Sequence, residues 1–236
     1  MNVLTSGFQR WLDQLYSTFI EEGYYTYLIE GFCNTIIITV GAVLIGMAIG
    51  LIIAITKYLA EDNPALKPVV WICDTYVNVI RGVPVVVLLL IFFFIIMKAS
   101  DNGVLVAILT FGINSGAYMA ELIRSGINAV DKGQMEAGRS LGMSRAQAMR
   151  KVIFPQAVRY ILPAIGNELI ALLKETSVAG YVTIIDLTRA GNLIRNNTHD
   201  ALNPLLLVAL IYLTLVVVLT SLLGVLERKL AKNDKS

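Results

Sequence analysis

Charged side chains set inside long apolar stretches are the residues of this chain with the most chemistry to offer. Glu168, Lys174 and Glu175 lie within an apolar segment near 160–177, Arg81 interrupts a second segment, and Glu121 and Arg124 close a third. A charge near the centre of a bilayer costs about 3 kcal/mol or more unless it is paired or wet, so each is a functional candidate. Glu168 and Glu175 are seven apart and share a helical face, with Leu172 between them. Lys174 and Glu175 stand near one end of their segment and reach water by snorkelling, which favours a structural role. Glu168 is deeper, and its carboxylate suits either a cationic ligand group or an interhelical hydrogen bond. Glu121 and Arg124 are three apart and read as a brace for the polar segment that follows them. Arg81 reads as a structural partner of Asp74 or as a clamp for a ligand carboxylate, and the structural role is favoured. Asn34 and Asn114 are further polar groups for a cavity face, whereas His199 reads as solvated. The chain shows no metal-ligand cluster, no nucleophile–base arrangement and no G-x-x-x-x-G-K-[ST] phosphate loop.

The elements that position these residues are membrane spans. Of 236 residues 56% are hydrophobic and 15% charged, with mean hydropathy +0.71, where a soluble domain carries about a quarter charged residues. Crossing the hydrocarbon takes roughly 20 apolar residues. Segments 35–55 and 204–226 meet that length without a single charge, and 103–120 is slightly shorter and equally uncharged. The expected architecture is all-α with five spans, at about 28–55, 69–97, 103–123, 160–177 and 203–226, within a domain covering 28–230. Gly41, Gly46 and Gly50 suit close packing of the first span. The second span is interrupted by Arg81, Gly82 and Pro84, and Pro84 should bend it. Segment 1–27 lacks the pattern of a signal peptide. Its Leu4, Phe8, Trp11, Leu12, Leu15 and Phe19 recur at spacings of three and four, as on an amphipathic helix lying in the interface. Tyr24, Tyr25 and Tyr27 follow like an aromatic belt. A loop of about 25 residues separates spans four and five, and 231–236 is a basic tail. Cys33 and Cys73 fall near opposite membrane faces and read as small packing residues rather than a disulfide pair.

Charge sets the orientation. Lys57 and Lys67, seven basic residues in 124–159 and four after Glu227 lie on one side; only Arg10, Lys98, Arg189 and Arg195 lie on the other. The richer side should be cytoplasmic, leaving the N-terminus outside, the C-terminus inside and segment 124–159 in the cytoplasm. Within that segment, 134–141 is helix-compatible and Gly142 stands where a left-handed cap is wanted. Ser144 and Gln147 form a capping box that opens a second helix, expected to stop before Pro155. Gly138 and Gly142 leave a face without bulk, and Met135, Leu141, Met143 and Met149 offer adaptable apolar contacts. By residue chemistry alone the segment suits either a surface-resting amphipathic loop or a docking element.

Glu136, Ala137, Gly138, then Gly142, then Val152, Ile153, Phe154 and Pro155 resemble the motif of permease subunits of ATP-binding-cassette importers. That motif reads E-A-A, three residues, G, nine residues, I-x-L-P. Gly138, Val152 and Phe154 are conservative departures from it. Arg81 to Pro84, 117–124, Gly166 to Glu168, 173–177 and Asp186 to Arg189 resemble the polar amino-acid branch, of the histidine, glutamine, glutamate and arginine type. The resemblance covers about 25–230.

That resemblance implies a type I importer transmembrane domain, multi-pass in a bacterial plasma (inner) membrane. It implies that the 133–155 loop forms a coupling helix on a nucleotide-binding ATPase subunit. Glu136, Ala137, Gly138, Leu141, Gly142, Met143, Phe154 and Pro155 would make that contact. ATP and magnesium would act on the partner, with no cofactor on this chain, which is not itself an enzyme. A second permease subunit, identical or different, is expected. An extracellular or periplasmic amino-acid-binding protein would deliver the ligand onto the 98–103 and 178–202 surfaces, because outer loops this short cannot capture it alone. Glu168, Asn34, Asn114 and Glu175 are the candidate cargo contacts, and Arg81, Pro84, Glu121 and Arg124 the bracing residues. The other partner is the lipid bilayer, and no nucleic acid is expected.

Overall fold

The computed structural model describes Gln9, Asp13 and residues 15–60 and 63–232, and every regular element among them is helical. We number the α-helices α1 (Tyr25–Ala60), α2 (Lys67–Gly82), α3 (Val85–Ile91), α4 (Gly103–Asn128), α5 (Lys132–Ser140), α6 (Arg145–Ala148), α7 (Phe154–Glu175), α8 (Leu187–Thr198) and α9 (Leu202–Lys232). Among the described residues α1, α4 and Leu202–Leu230 are long and apolar enough to cross a membrane. The bent pair formed by α2 and α3 makes a fourth if it is one span. Helix α7 has the length, but Arg159, Glu168, Lys174 and Glu175 make it too polar for that criterion.

Helices α1 and α4 pack along most of their lengths, and small residues set how close they come. A Cβ at Gly46 would lie 2.8 Å from the Ser115 Oγ, and one at Gly50 would lie 2.6 Å from the Met119 Cβ. Both are closer than any real Cβ contact, so the α1–α4 distance exists only because these positions lack side chains. The main core joins Ile38, Ala42, Leu89, Phe111, Met119 and Leu172, with α7 packed across the pair. A second cluster joins Phe19, Leu28, Leu187, Ala190, Ile194 and Val208.

Several expectations are corrected. The second apolar segment is two helices rather than one bent helix: α2 ends at Gly82, α3 begins at Val85, and the axes over 64–82 and 85–96 differ by 106°. Val83 is extended (φ −105°, ψ 131°), the conformation a following proline imposes, and Pro84 opens the next helix. The helix of the polar loop does not stop before Pro155. A wide π-helical turn, Met149–Ile153, carries it into α7, with the Phe154 N–H donating to the Met149 carbonyl. That extra residue is how a helix accommodates a proline without losing its run. The segment between α7 and α9 is built rather than loop-like, with a 3-10 turn at Thr176–Val182 followed by α8. Asp186 caps α8, its fully buried carboxylate accepting from the Thr188 N–H (2.8 Å) and the Arg189 N–H (3.2 Å). Burial pushes the Asp186 carboxyl up from its ordinary range, while these N–H groups pull the other way.

Leu4, Phe8, Trp11 and Leu12 of the amphipathic N-terminal face lie outside the described residues, as do Glu61, Asp62 and 233–236. Phe19, from the same face, is buried in the second core cluster. Cys33 is exposed, so it does not pack within this chain, and Cys73 is half-buried; both are free thiols.

Candidate coupling loop and polar path

Segment 129–155 folds as a compact helical hairpin. Asp131 caps α5, accepting from the Gly133 N–H at 2.6 Å. Helix α5 ends in a Schellman arrangement, in which the Met143 N–H reaches the Gly138 carbonyl (3.1 Å) and the Gly142 N–H reaches the Arg139 carbonyl (3.0 Å). Gly142 sits at φ +82°, a left-handed conformation that costs other residues about 1–2 kcal/mol. The capping box forms in both directions: Gln147 N–H to Ser144 Oγ at 3.2 Å and Ser144 N–H to Gln147 Oε1 at 2.8 Å.

The hairpin separates its motif residues into two sets. Glu136, Ala137, Gly142 and Pro155 are exposed, Leu141 is 80% exposed at the tip, and Phe154 is 44% exposed. Gly138 faces inward instead. A Cβ there would lie 3.2 Å from the Ala148 Cβ and 3.7 Å from the Met143 Sδ, so Gly138 lets α5 close on α6 and presents nothing outward. Met143 is half-buried beside it. Leu141 is thus a large apolar side chain left uncovered at the tip of a capped turn.

The hairpin is tied to the helices by contacts that spacing alone did not reveal. The Arg145 guanidinium lies 5.1 Å from the ring centroid of Tyr58 in α1, and the Gln156 side-chain amide reaches Gln134 Oε1 at 3.3 Å. Arg124 and Glu121 pair through both guanidinium arms, with Arg124 Nε at 3.0 Å from Glu121 Oε2. Arg124 and Met149 line one small cavity with Lys57 and Tyr58, so the pair stands where the hairpin meets α1 and α4. Asp74 does not pair with Arg81. Its partner is Lys57 Nζ at 2.5 Å, which sets the end of α1 beside the middle of α2. Arg81 instead lies over the Tyr118 ring at 5.2 Å, just ahead of the break at Pro84.

The polar groups along the path are not one cluster. Glu168 is half-buried in α7 and accepts from the Ser115 hydroxyl of α4 at 3.4 Å. Ser115 is also the residue that meets Gly46, so Glu168 stands beside the α1–α4 seam. Glu175 is half-buried at the end of α7 and Lys174 is exposed. The Asn34 amide donates to the Ile185 carbonyl at 2.9 Å and lines a cavity of about 300 Å3 with Glu30 and Asp101. Asn114 is buried inside α4. His199 is exposed, in a left-handed conformation (φ 55°) just past α8. Among the described residues no group of three or more His, Cys, Asp or Glu side chains is placed to hold a metal ion.

Comparison with known proteins matches residues 46–232 to a family described as the binding-protein-dependent transport system inner membrane component. The chain is 36% identical over 211 residues to the arginine transport system permease protein ArtQ of Bacillus subtilis (strain 168), covering 88% of this chain and 94% of that one. It is 34% identical over 210 residues to the putative glutamine transport system permease protein GlnP of Rickettsia prowazekii (strain Madrid E), with the same coverage. A solved chain of an amino acid ABC transporter crystallised with histidines superposes with TM-score 0.80 at 39% identity, covering 89% of this chain and 96% of that chain. An inward-facing chain of the MetNI methionine ABC transporter shares the fold, with TM-score 0.76 at 23% identity, covering 89% and 98%.

Proposed function

The chain belongs to the binding-protein-dependent transport system inner membrane components, and from that premise we propose that it carries a polar amino acid inward. It is the permease subunit of an ATP-binding-cassette importer, held in the inner membrane. The single observation that supports coupling through 133–155 is the exposed tip made by Glu136, Ala137, Leu141 and Gly142 on a doubly capped hairpin. A partner ATPase subunit receives that tip and supplies ATP and magnesium. Its closure moves the hairpin, and the Arg145–Tyr58 and Gln156–Gln134 contacts carry the motion into α1 and α7. The chain crosses the membrane five times, with its N-terminus outside and its C-terminus inside. α2 with α3 makes one crossing and α7 another.

A pathway needs a second permease subunit, because five crossings from one chain cannot enclose it. A binding protein on the outer side delivers the cargo. Relatives are named as an arginine and a putative glutamine transport permease, and Glu168, half-buried beside Ser115, supports a cargo with a cationic group. The test is ATP hydrolysis by the complete complex in liposomes. Loaded binding protein should stimulate it several-fold, and a rate indifferent to loaded binding protein would sink the importer reading. Passive flux without ATP would indicate a channel.

A further inference from the structure

Building on the reading of this chain as an amino-acid permease, we propose that the cavity between the end of α7 and the start of α8 receives the main-chain carboxylate of the cargo, with Arg189 as the receiving group. The cavity holds about 450 Å3 and is lined by Ser177, Gly180, Tyr181, Thr188, Arg189 and Asn192. That volume lies in the range of about 300–1,000 Å3 typical of small-ligand clefts.

Arg189 is the one charged residue of the lining, and its planar fork of N–H donors matches a carboxylate in bidentate geometry. Among the described residues its side chain makes no ion pair and no hydrogen bond with the protein. Asp186, three residues before it, does not neutralise it, because that carboxylate is fully buried and turned to the N–H groups of Thr188 and Arg189.

The guanidinium stem is also seated. A Cβ at Gly180 would lie 3.0 Å from the Arg189 Cβ and 3.5 Å from its Cδ, so the bare glycine makes room for the stem to cross the 3-10 turn. The Ser177 and Tyr181 hydroxyls and the Asn192 amide offer acceptors as well as donors, which suits a zwitterion. The Thr188 hydroxyl is directed to Tyr212 at 3.5 Å. Arg189 is half-buried in a recess, a shape that takes a small carboxylate more readily than an acidic side chain on the broad surface of a docking protein.

The experiment uses the whole complex with its ATPase partner in nanodiscs. Uptake in liposomes with each labelled amino acid first identifies the cargo; no uptake of any of them would defeat the permease reading and leave the site question behind it. Binding of that cargo and of its decarboxylated amine is then measured directly, without binding protein. The wild type should prefer the cargo by about tenfold or more, the scale of a lost bidentate charge-assisted contact. Arg189→Gln should bind the two about equally, and Arg189→Lys should fall between them. Gly180→Ala, which keeps the charge but crowds both the Arg189 stem and the Asp186 carboxylate (Cβ 3.0 Å from each), should also reduce the preference, and it stands as the test if Arg189→Gln fails to assemble. An undiminished preference in these variants overturns the assignment. So does an Arg189→Gln complex whose only change is a higher half-saturating concentration of binding protein for ATP hydrolysis, since that result would make Arg189 a docking residue.

Discussion

Two single residues carry separable parts of the proposed function. Gly142 is exposed, with open space where a Cβ would stand, so any penalty there is conformational and electrostatic rather than steric. Gly142→Asp forces a left-handed aspartate and sets a negative charge at the C-terminal end of α5, where the helix dipole disfavours it. The protein should insert normally, while co-purification of the ATPase or coupled uptake falls. Gly142→Asn, which tolerates this backbone and adds no charge, should keep more of both; normal transport by the aspartate variant would end the coupling role. Glu168→Gln preserves volume and the contact with Ser115 but removes the charge. Assembly should survive while uptake rate or cargo preference changes. Identical kinetics across arginine, histidine and glutamine would make Glu168 purely structural.

At the scale of elements, the α1–α4 seam is the part of the fold least able to absorb change. Gly50→Val places atoms inside the space held by Met119 and the Ala120 backbone. Overpacking of this kind costs about 1–3 kcal/mol, so the thermal midpoint of the purified complex, followed by size-exclusion fluorescence, should drop by several degrees. Gly224→Ala in α9, where a Cβ meets nothing within 4 Å, is the matched control and should leave the midpoint unchanged. An unchanged midpoint for Gly50→Val would mean the two helices are not held at this distance. The seam was legible in the sequence, because Gly41, Gly46 and Gly50 stood in one uncharged run. The break between α2 and α3 was legible only in part. Pro84 announced an interruption, but a bend and a 106° break carry the same local signal, and the packing of α3 against α4 decides between them.

For the whole molecule, the asymmetry of lysine and arginine predicts a definite sidedness. In a Cys33→Ser, Cys73→Ser background, a membrane-impermeant maleimide should label Asn197→Cys in intact cells. It should label Arg139→Cys only after permeabilisation. The opposite pattern would invert the topology and move the proposed carboxylate site to the cytoplasmic face. The five crossings proposed for one chain are also too few to enclose a pathway. The complex should therefore migrate with two permease subunits per particle when its mass is measured in detergent.

The sequence by itself determined the membrane class, the place and caps of the hairpin at 129–155 and the family, because these rest on local composition, spacing and short-range hydrogen bonds. Residues 142, 144 and 147 need only their near neighbours to do their work. Partnerships across the chain were another matter. Lys57 rather than Arg81 holds Asp74, Gly138 faces inward rather than outward, and the 178–202 segment is a 3-10 turn and a capped helix that form a recess around Arg189. Each depends on which helices come to lie side by side, and only the tertiary structure decides that, since one helical face can serve a lipid, a neighbouring helix or a cavity with the same residues.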